Sequence, residues 1–404
     1  MTKIKKEICE NQVLRSQTLI FDTPIKRAVF KTPPQAQGQG SRPEQRRRGP
    51  LFGGHMPPME VVPVEPNIKV YENGDVKFRF YAPNAQKVEV AGLGGGFSRD
   101  RREMKKDEDG WWSVTVSGIL PGFHYHEYFV DGNRLVNPDV NCGYGCFYPI
   151  NYFDLPSNED EFWMLRDVPH GDVRMKYYKS SVNGRIKCAW VYCPPGYDSS
   201  DERYPVLYIQ HGVGENETGW VWQGKINYIA DNLIADGLAE KMIIVMNSGY
   251  AFKEGEDPVF FPGDFDSELV NDCIPYIDSK YRTKTDKHNR AVAGLSLGSS
   301  QAFLSAMLHR DIFGSLGVFS GGFPIKRGEY DFTDYFADAE KVNSDFDLIF
   351  VSGGEQEGFV ERTLPQLNEL REKGVKIVDY HRPGFHVWDV WRFSAYEFMK
   401  LLFK

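Results

Sequence analysis

The sequence predicts two folded units in tandem behind a flexible tail. The tail covers 1–65, a small β-sandwich 66–156, and an α/β unit with a mostly parallel central sheet 157–404. Three observations predict this. Short runs of alternating polarity, separated by turn residues, fill 66–156. From 186 onward, apolar runs alternate with stretches of helical period. One of those runs ends in Val292-Ala293-Gly294-Leu295-Ser296-Leu297-Gly298, and a helix-compatible stretch over 301–309 follows it.

Composition bounds the function. A chain of 404 residues with 41% hydrophobic and 26% charged side chains is ordinary for a water-soluble protein with a sizeable core. A net charge of −8 argues against nucleic acid as a partner. No long unbroken apolar run predicts a membrane span. The first residues, MTKIKKEICENQVLR, carry a basic start but no apolar signal-peptide region. The expected location is therefore cytoplasmic, or secreted or periplasmic if a leader was removed. The six cysteines have no zinc-binding spacing, so no metal is expected. Cys142 and Cys146 are close enough for a bridge, although free thiols are expected in a reducing compartment. Nothing in the sequence sets an oligomeric state.

Taken in order, 32–54 is rich in Pro, Gln, Gly and Arg, which predicts the flexible tail. Arg46-Arg47-Arg48 reads as a solvated charge cluster. Strands follow at 76–81, 87–90, 111–116 and 125–130, with turns at Asn73-Gly74, Asp109-Gly110 and Asp131-Gly132. The FRFYAPNAQKVEV strand pair, Gly110-Trp111-Trp112, Gly122-x-x-Tyr125-x-x-Tyr128 and Asn137-Pro138-Asp139 carry a resemblance. The stretch resembles the immunoglobulin-like module in front of glycogen-branching and debranching enzymes, carbohydrate-binding module family 48. Trp111, Trp112, Tyr125 and Tyr128 are candidates for stacking on sugar rings. Strand alternation turns about half of such a set into the core, so a structural or site-rim role is the alternative.

In the α/β unit, strands are expected at 186–192, 205–210, 242–246, 346–351 and 375–380. Helices are expected at 226–238, 267–280, 362–373 and 388–403. The run Met242-Ile243-Ile244-Val245-Met246 is continuously apolar, as a parallel strand covered on both faces requires.

With 39 glycines in 404 residues, Gly-x-Ser-x-Gly arises by chance about 0.2 times in a chain of this length. The strand before it and the helix after it make it a nucleophile elbow, with Ser296 exposed on a sharp turn. A serine needs a base. His386, in Gly384-Phe385-His386-Val387-Trp388, lies between the last strand and the last helix, at the same sheet edge. His211 is the runner-up. The turn Gln210-His211-Gly212-Val213-Gly214 instead suits an oxyanion hole, with donors from Val213 N–H and Leu297 N–H. The acid that orients the base is expected after the 346–351 strand, where Glu357 is preferred to Glu355, and Asp389 comes third. The order Ser, acid, His is that of α/β-hydrolases.

These motifs carry a second resemblance, together with Tyr204-Pro205-Val206-Leu207-Tyr208, Gly219-Trp220, Phe265-x-x-Glu268-Leu269 and His386-x-Trp388-x-x-Trp391. Residues 170–404 resemble carbohydrate esterase family 1, the feruloyl and acetyl-xylan esterases related to enterochelin esterase. The family usually has aspartate where this chain reads Glu355-Gln356-Glu357; glutamate occurs in the enterochelin-esterase branch. The resemblance implies a cofactor-free serine esterase acting on acylated xylan, xylo-oligosaccharide or hydroxycinnamate esters, most of all a feruloyl esterase. Trp220, Trp222 and Trp388 are candidates for the acyl-pocket wall. The alternatives are an acetyl-xylan or siderophore esterase, or a catalytically inactive glycan-binding protein.

Overall fold

The computed structural model describes residues 28–30, 59–61, 65–157, 160–253, 255–256 and 263–404. Most of the expected tail, including Arg46-Arg47-Arg48, lies outside the described residues. Within it, Ala28–Phe30 and Met59–Val61 pair as a short antiparallel ladder.

The α/β unit is built on eight strands: β1 (Asp172–Lys179), β2 (Ile186–Cys193), β3 (Val206–Gln210), β4 (Ile243–Asn247), β5 (Arg290–Leu295), β6 (Ser315–Phe319), β7 (Leu348–Gly354) and β8 (Val378–Arg382). Their order in the sheet is β1-β2-β4-β3-β5-β6-β7-β8. β1 and β2 run antiparallel to their neighbours, and every other pairing is parallel. Every residue of β3, β4, β5 and β6 is buried, because helices cover both faces. Val206 and Tyr208 of β3 face one core, and Leu207 and Ile209 face the other.

Helices α1 (Ile226–Ala235) and α4 (Trp388–Leu401) cover the second core. Helices α2 (Leu297–Leu308) and α3 (Leu364–Glu372) cover the first, with a helix over 265–280 that passes through a π turn at Leu269–Cys273. The expected helix over 226–238 stops at Ala235, because Gly237 turns left-handed at φ 68°. The last strand starts at Val378 rather than 375, since Val375 N–H still bonds Leu370 O in the turn after α3. β6 was not expected. Its apolar run is broken by Gly317, and a Cβ there would lie 2.8 Å from the Ala293 Cβ of β5.

The sandwich has a four-stranded sheet around Val76–Tyr81 and Trp111–Val116, and a six-stranded sheet around Val88–Gly92, Gly122–Val130 and Tyr148–Leu155. Phe78, Val90, Tyr128 and Phe153 meet between them. The expected sugar-stacking set is mostly spent elsewhere. Trp112 and Tyr128 are core, Tyr125 is half-buried with its hydroxyl bonded to Glu215 and Gln223 of the α/β unit, and the Arg79 guanidinium covers the Trp111 ring at 4.3 Å. Cys142 and Cys146 are both free and exposed, so the suspected bridge is absent.

The two units share a core. Phe123 and Tyr152 of the sandwich pack with Trp220 and Trp388. Arg392 of α4 reaches Asp154 of the sandwich at 2.7 Å, and both side chains are buried.

Candidate active site

Ser296 sits between β5 and α2 with φ 53° and ψ −114°, a conformation that an L-residue holds only when its surroundings enforce it. Its N–H is tied to Phe319 O of β6 at 2.9 Å. The flanking glycines are required by space. A Cβ on Gly294 would lie 2.4 Å from the Gly298 carbonyl, and one on Gly298 would lie 2.6 Å from His211 O. Leu297 opens α2, so its N–H has no acceptor within the helix and faces the serine end of the turn.

His386 follows β8. Its Nδ1–H donates to Glu357 Oε2 at 2.5 Å, a direction fixed because an ionised carboxylate only accepts. The histidine side chain is 46% exposed and the glutamate 8%. The second glutamate oxygen, Oε1, accepts from Ser320 Oγ–H at 2.6 Å and from the Gly354 N–H. Burial raises the Glu357 carboxyl, but the hydrogen bonds from His386, Ser320 and Gly354 outweigh it and leave the group below its ordinary value. Of the other acid candidates, Glu355 faces His381 Nδ1 at 3.3 Å. Asp389 lies 3.5 Å from Arg382 and against Gly122 of the sandwich. Ser296, Ser320, Glu357 and His386 thus stand at the carboxyl ends of four consecutive neighbours, β5 to β8.

His211 has no freedom to act as a base. It is buried, its Nε2 accepts from Gly249 N–H at 3.0 Å, and Nδ1–H donates to Gly212 O at 2.8 Å. Burial lowers it to about 4, against a weaker push upward from the Gly212 carbonyl. It fixes the turn that carries Val213. Beyond Val213, Gly214 N–H donates to the Tyr250 hydroxyl at 2.7 Å.

Two of the three tryptophan assignments need correction. Trp220 and Trp388 are 1% and 0% exposed and meet edge to face at 5.1 Å. Such indoles are core and present no wall to a substrate. Trp222 packs on Trp190 of β2.

Residues to which the sequence reading gave no role at the site border it. Trp391 stands edge-on to the His386 ring at 5.1 Å. From the sandwich, the hairpin turn at Cys146 and Phe147 has φ of 55° and 71° and seats on the Val213 loop: Phe147 N–H donates to Gly214 O at 2.8 Å. A Cβ on Gly214 would lie 2.9 Å from Cys146 Cα. The Phe147 side chain is 58% exposed at this rim. The left-handed turn was hidden in sequence because neither residue is glycine. Among the described residues, no cluster of His, Cys, Asp or Glu could hold a metal, and no helix is long and apolar enough to cross a membrane.

This strand order, with an elbow after β5, defines the α/β-hydrolase fold. Residues 180–397 match the family described as "Putative esterase", and the chain belongs to that family. Residues 63–141 match Carbohydrate-binding module 48 (Isoamylase N-terminal domain). The chain is 35% identical over 345 residues to an endo-1,4-beta-xylanase/feruloyl esterase of Xylanibacter ruminicola, covering 83% of this chain and 46% of that protein. It is 28% identical over 166 residues to an esterase of Mycobacterium tuberculosis, covering 40% of this chain and 35% of that one. The chain thus spans half or less of these relatives. Among solved structures, a CE1 ferulic acid esterase from Anaeromyces mucronatus, in complex with ferulic acid, superposes with a TM-score of 0.53 at 25% identity. It covers 60% of this chain and 95% of that one. The enterobactin esterase of Shigella flexneri matches in fold over 81% of this chain and 92% of its own, with a TM-score of 0.58 at 13% identity. The chain is therefore an esterase-family protein related to feruloyl esterases.

Proposed function

We propose that the chain is a serine esterase that releases ferulate from feruloylated arabinoxylan or its oligosaccharides. The observation that carries the chemistry is the His386–Glu357 bond at 2.5 Å, on the sheet edge where the strained elbow presents Ser296. The relatives named as feruloyl or ferulic acid esterases support the substrate class.

His386 Nε2 takes the Ser296 proton as the hydroxyl attacks the ester carbonyl. Leu297 and Val213 N–H groups receive the oxyanion, and Glu357 stabilises the imidazolium. His386 then returns the proton to the departing sugar alcohol. Water enters, gives its proton to His386 and attacks the acyl-serine, which releases the acid and restores Ser296.

The test is hydrolysis of methyl ferulate and 4-nitrophenyl acetate by the protein and by Ser296→Ala. Ferulate release that is lost in the variant is expected. Turnover of acetate alone would move the substrate to acetylated glycans. A folded protein inert on both would reject the esterase reading in favour of glycan binding.

A further inference from the structure

The geometry points to Glu215 as a positioning residue for this reaction, clamping the oxyanion turn to the histidine-bearing segment with the help of a hydroxyl from the sandwich. The inference rests on the serine-esterase reading above. Glu215 lies two residues after Val213 and is buried. Its Oε2 accepts from Gly212 N–H at 3.4 Å, at the start of the turn. Its Oε1 accepts from Trp388 Nε1–H at 2.7 Å, and Trp388 lies two residues after His386. The same oxygen accepts from the Tyr125 hydroxyl at 3.1 Å. One carboxyl therefore joins three segments: the turn bearing Val213, the start of α4, and the sandwich strand Gly122–Val130.

The direction of each bond is fixed by chemistry. An indole N–H and a backbone N–H can only donate. Gln223 Nε2–H donates to the Tyr125 oxygen at 2.9 Å, which leaves the tyrosine proton for Glu215. Three donors converge on two oxygens, an arrangement matched to the ionised carboxylate. Burial works against it: desolvation raises Glu215 to about 7, and the bonds from Trp388, Tyr125 and Gly212 hold it from going higher. Protonation puts a hydrogen on an oxygen that already receives one, which removes the charge and weakens the bonds that the carboxyl accepts. The turn is where that matters. A Cβ on Gly212 would lie 3.5 Å from Ser296 Cβ and 3.7 Å from Glu215 Oε2, so the turn is wedged between nucleophile and clamp. A displacement of about 1 Å in a catalytic donor can cost up to about 100-fold in rate.

The other titratable groups facing Glu215 are Tyr125, Cys146, Tyr250 and, through the Tyr250 ring, His211. Burial raises the first three and lowers the histidine. All four are neutral at pH 7, so the titration there belongs to the carboxyl.

The experiment compares wild type, Glu215→Gln, Tyr125→Phe and the double variant on 4-nitrophenyl acetate and methyl ferulate, esters too small to need a glycan surface. Glu215→Gln is expected to lower kcat by about 10-fold or more with KM within about two-fold, the signature of lost transition-state alignment. Tyr125→Phe lowers kcat about three-fold, and the double variant is no worse than Glu215→Gln, since both act through one clamp. Independently of turnover, the Trp388 indole N–H resonance, assigned by its loss in Trp388→Phe, shifts as pH passes through neutrality. It does so in wild type and Ser296→Ala but not in Glu215→Gln. Unchanged kcat and KM in a Glu215→Gln protein with a lower Tm would reduce the residue to a structural role and overturn the inference. Additive losses or a pH-silent indole would overturn it too. A wild type inert on both esters rejects the esterase reading and the catalytic role with it, while the indole titration still reports whether the clamp exists.

Discussion

Glu357 holds His386 with one carboxylate oxygen and Ser320 with the other, at 2.5 Å and 2.6 Å. This fixes the imidazole tautomer and keeps the acid charged. Burial alone would raise the carboxyl, and the hydrogen bonds from His386, Ser320 and Gly354 reverse that effect. A carboxyl depressed in the fold contributes stability above its unfolded value and loses it as pH falls through the folded one. Glu357→Gln offers an amide that can orient the ring wrongly, so kcat is expected to fall roughly 1,000-fold or more. Ser320→Ala leaves the His386 bond and costs about 10-fold or less. Steady-state kinetics on one ester checks both; near-wild-type turnover by Glu357→Gln would remove this acid from the mechanism.

The elbow gives a sharper steric prediction. Gly298→Ala places a methyl carbon 2.6 Å from His211 O and 2.7 Å from Gln210 O, both backbone atoms that cannot swing aside. The turn must open, which moves Ser296 and the Leu297 N–H out of the positions that the proposed mechanism requires. Activity is expected to be lost, with Tm lowered by several degrees for a destabilisation of about 2 kcal/mol. Ser299→Ala, one residue on, removes only a hydroxyl bonded to Ser296 O and serves as the control that retains activity.

How much of this was legible in the sequence depends on range. The elbow, the candidate base and the candidate oxyanion turn rest on local signals: Gly294 and Gly298 are needed within one turn of chain, and His386 and Val213 lie in the loops after their strands. For the candidate acid the sequence ranked Glu357 and Glu355 of one loop ahead of Asp389 without separating the two firmly, because Glu355 and Glu357 differ only in which way a short helical turn points them. That turn sends Glu357 to His386 and Glu355 to His381. Glu215 and Phe147 had no local signature, and Tyr125 was read only as a candidate for sugar stacking, since their contacts arise where two units meet. The tryptophans misled for a similar reason. Trp220 and Trp388 lie near the motifs in sequence, yet each is claimed by the other's packing.

The sandwich contains an acid-sensitive core. His126 packs against Phe78, Tyr128 and Phe153 and is fully buried. Desolvation lowers it to about 3, and lowers the neighbouring buried His124 to about 4. Both must be neutral in the fold, while the unfolded chain protonates them below about 6.5. The unfolded state therefore binds more protons in this window, and stability is lost as pH falls from about 6.5 toward the folded values. His126→Phe removes one such group in a site already lined by aromatic rings. Its Tm is expected to fall less than that of wild type between pH 7 and pH 5, measured side by side by calorimetry. Parallel Tm curves for the two proteins would refute the assignment.

The buried pair Arg392–Asp154 predicts that the two units unfold together. Arg392 also donates from Nε to Gln223 O at 2.9 Å and lies 4.3 Å from the Trp163 ring. Removing one member of such a pair leaves the other charge buried and uncompensated, at a cost of about 3–5 kcal/mol. Asp154→Ala strands a guanidinium and is expected to lower Tm by several degrees. Asp154→Ala combined with Arg392→Met leaves only the buried Lys225 amine, which desolvation already lowers to about 7, and recovers part of that loss. Because Phe123 and Tyr152 extend the same core across the boundary, wild type should melt in one transition. Asp154→Ala, which weakens only the junction, is the variant in which a separate sandwich transition should first appear in calorimetry. Two transitions already present in wild type would mean that the shared core does not couple the units.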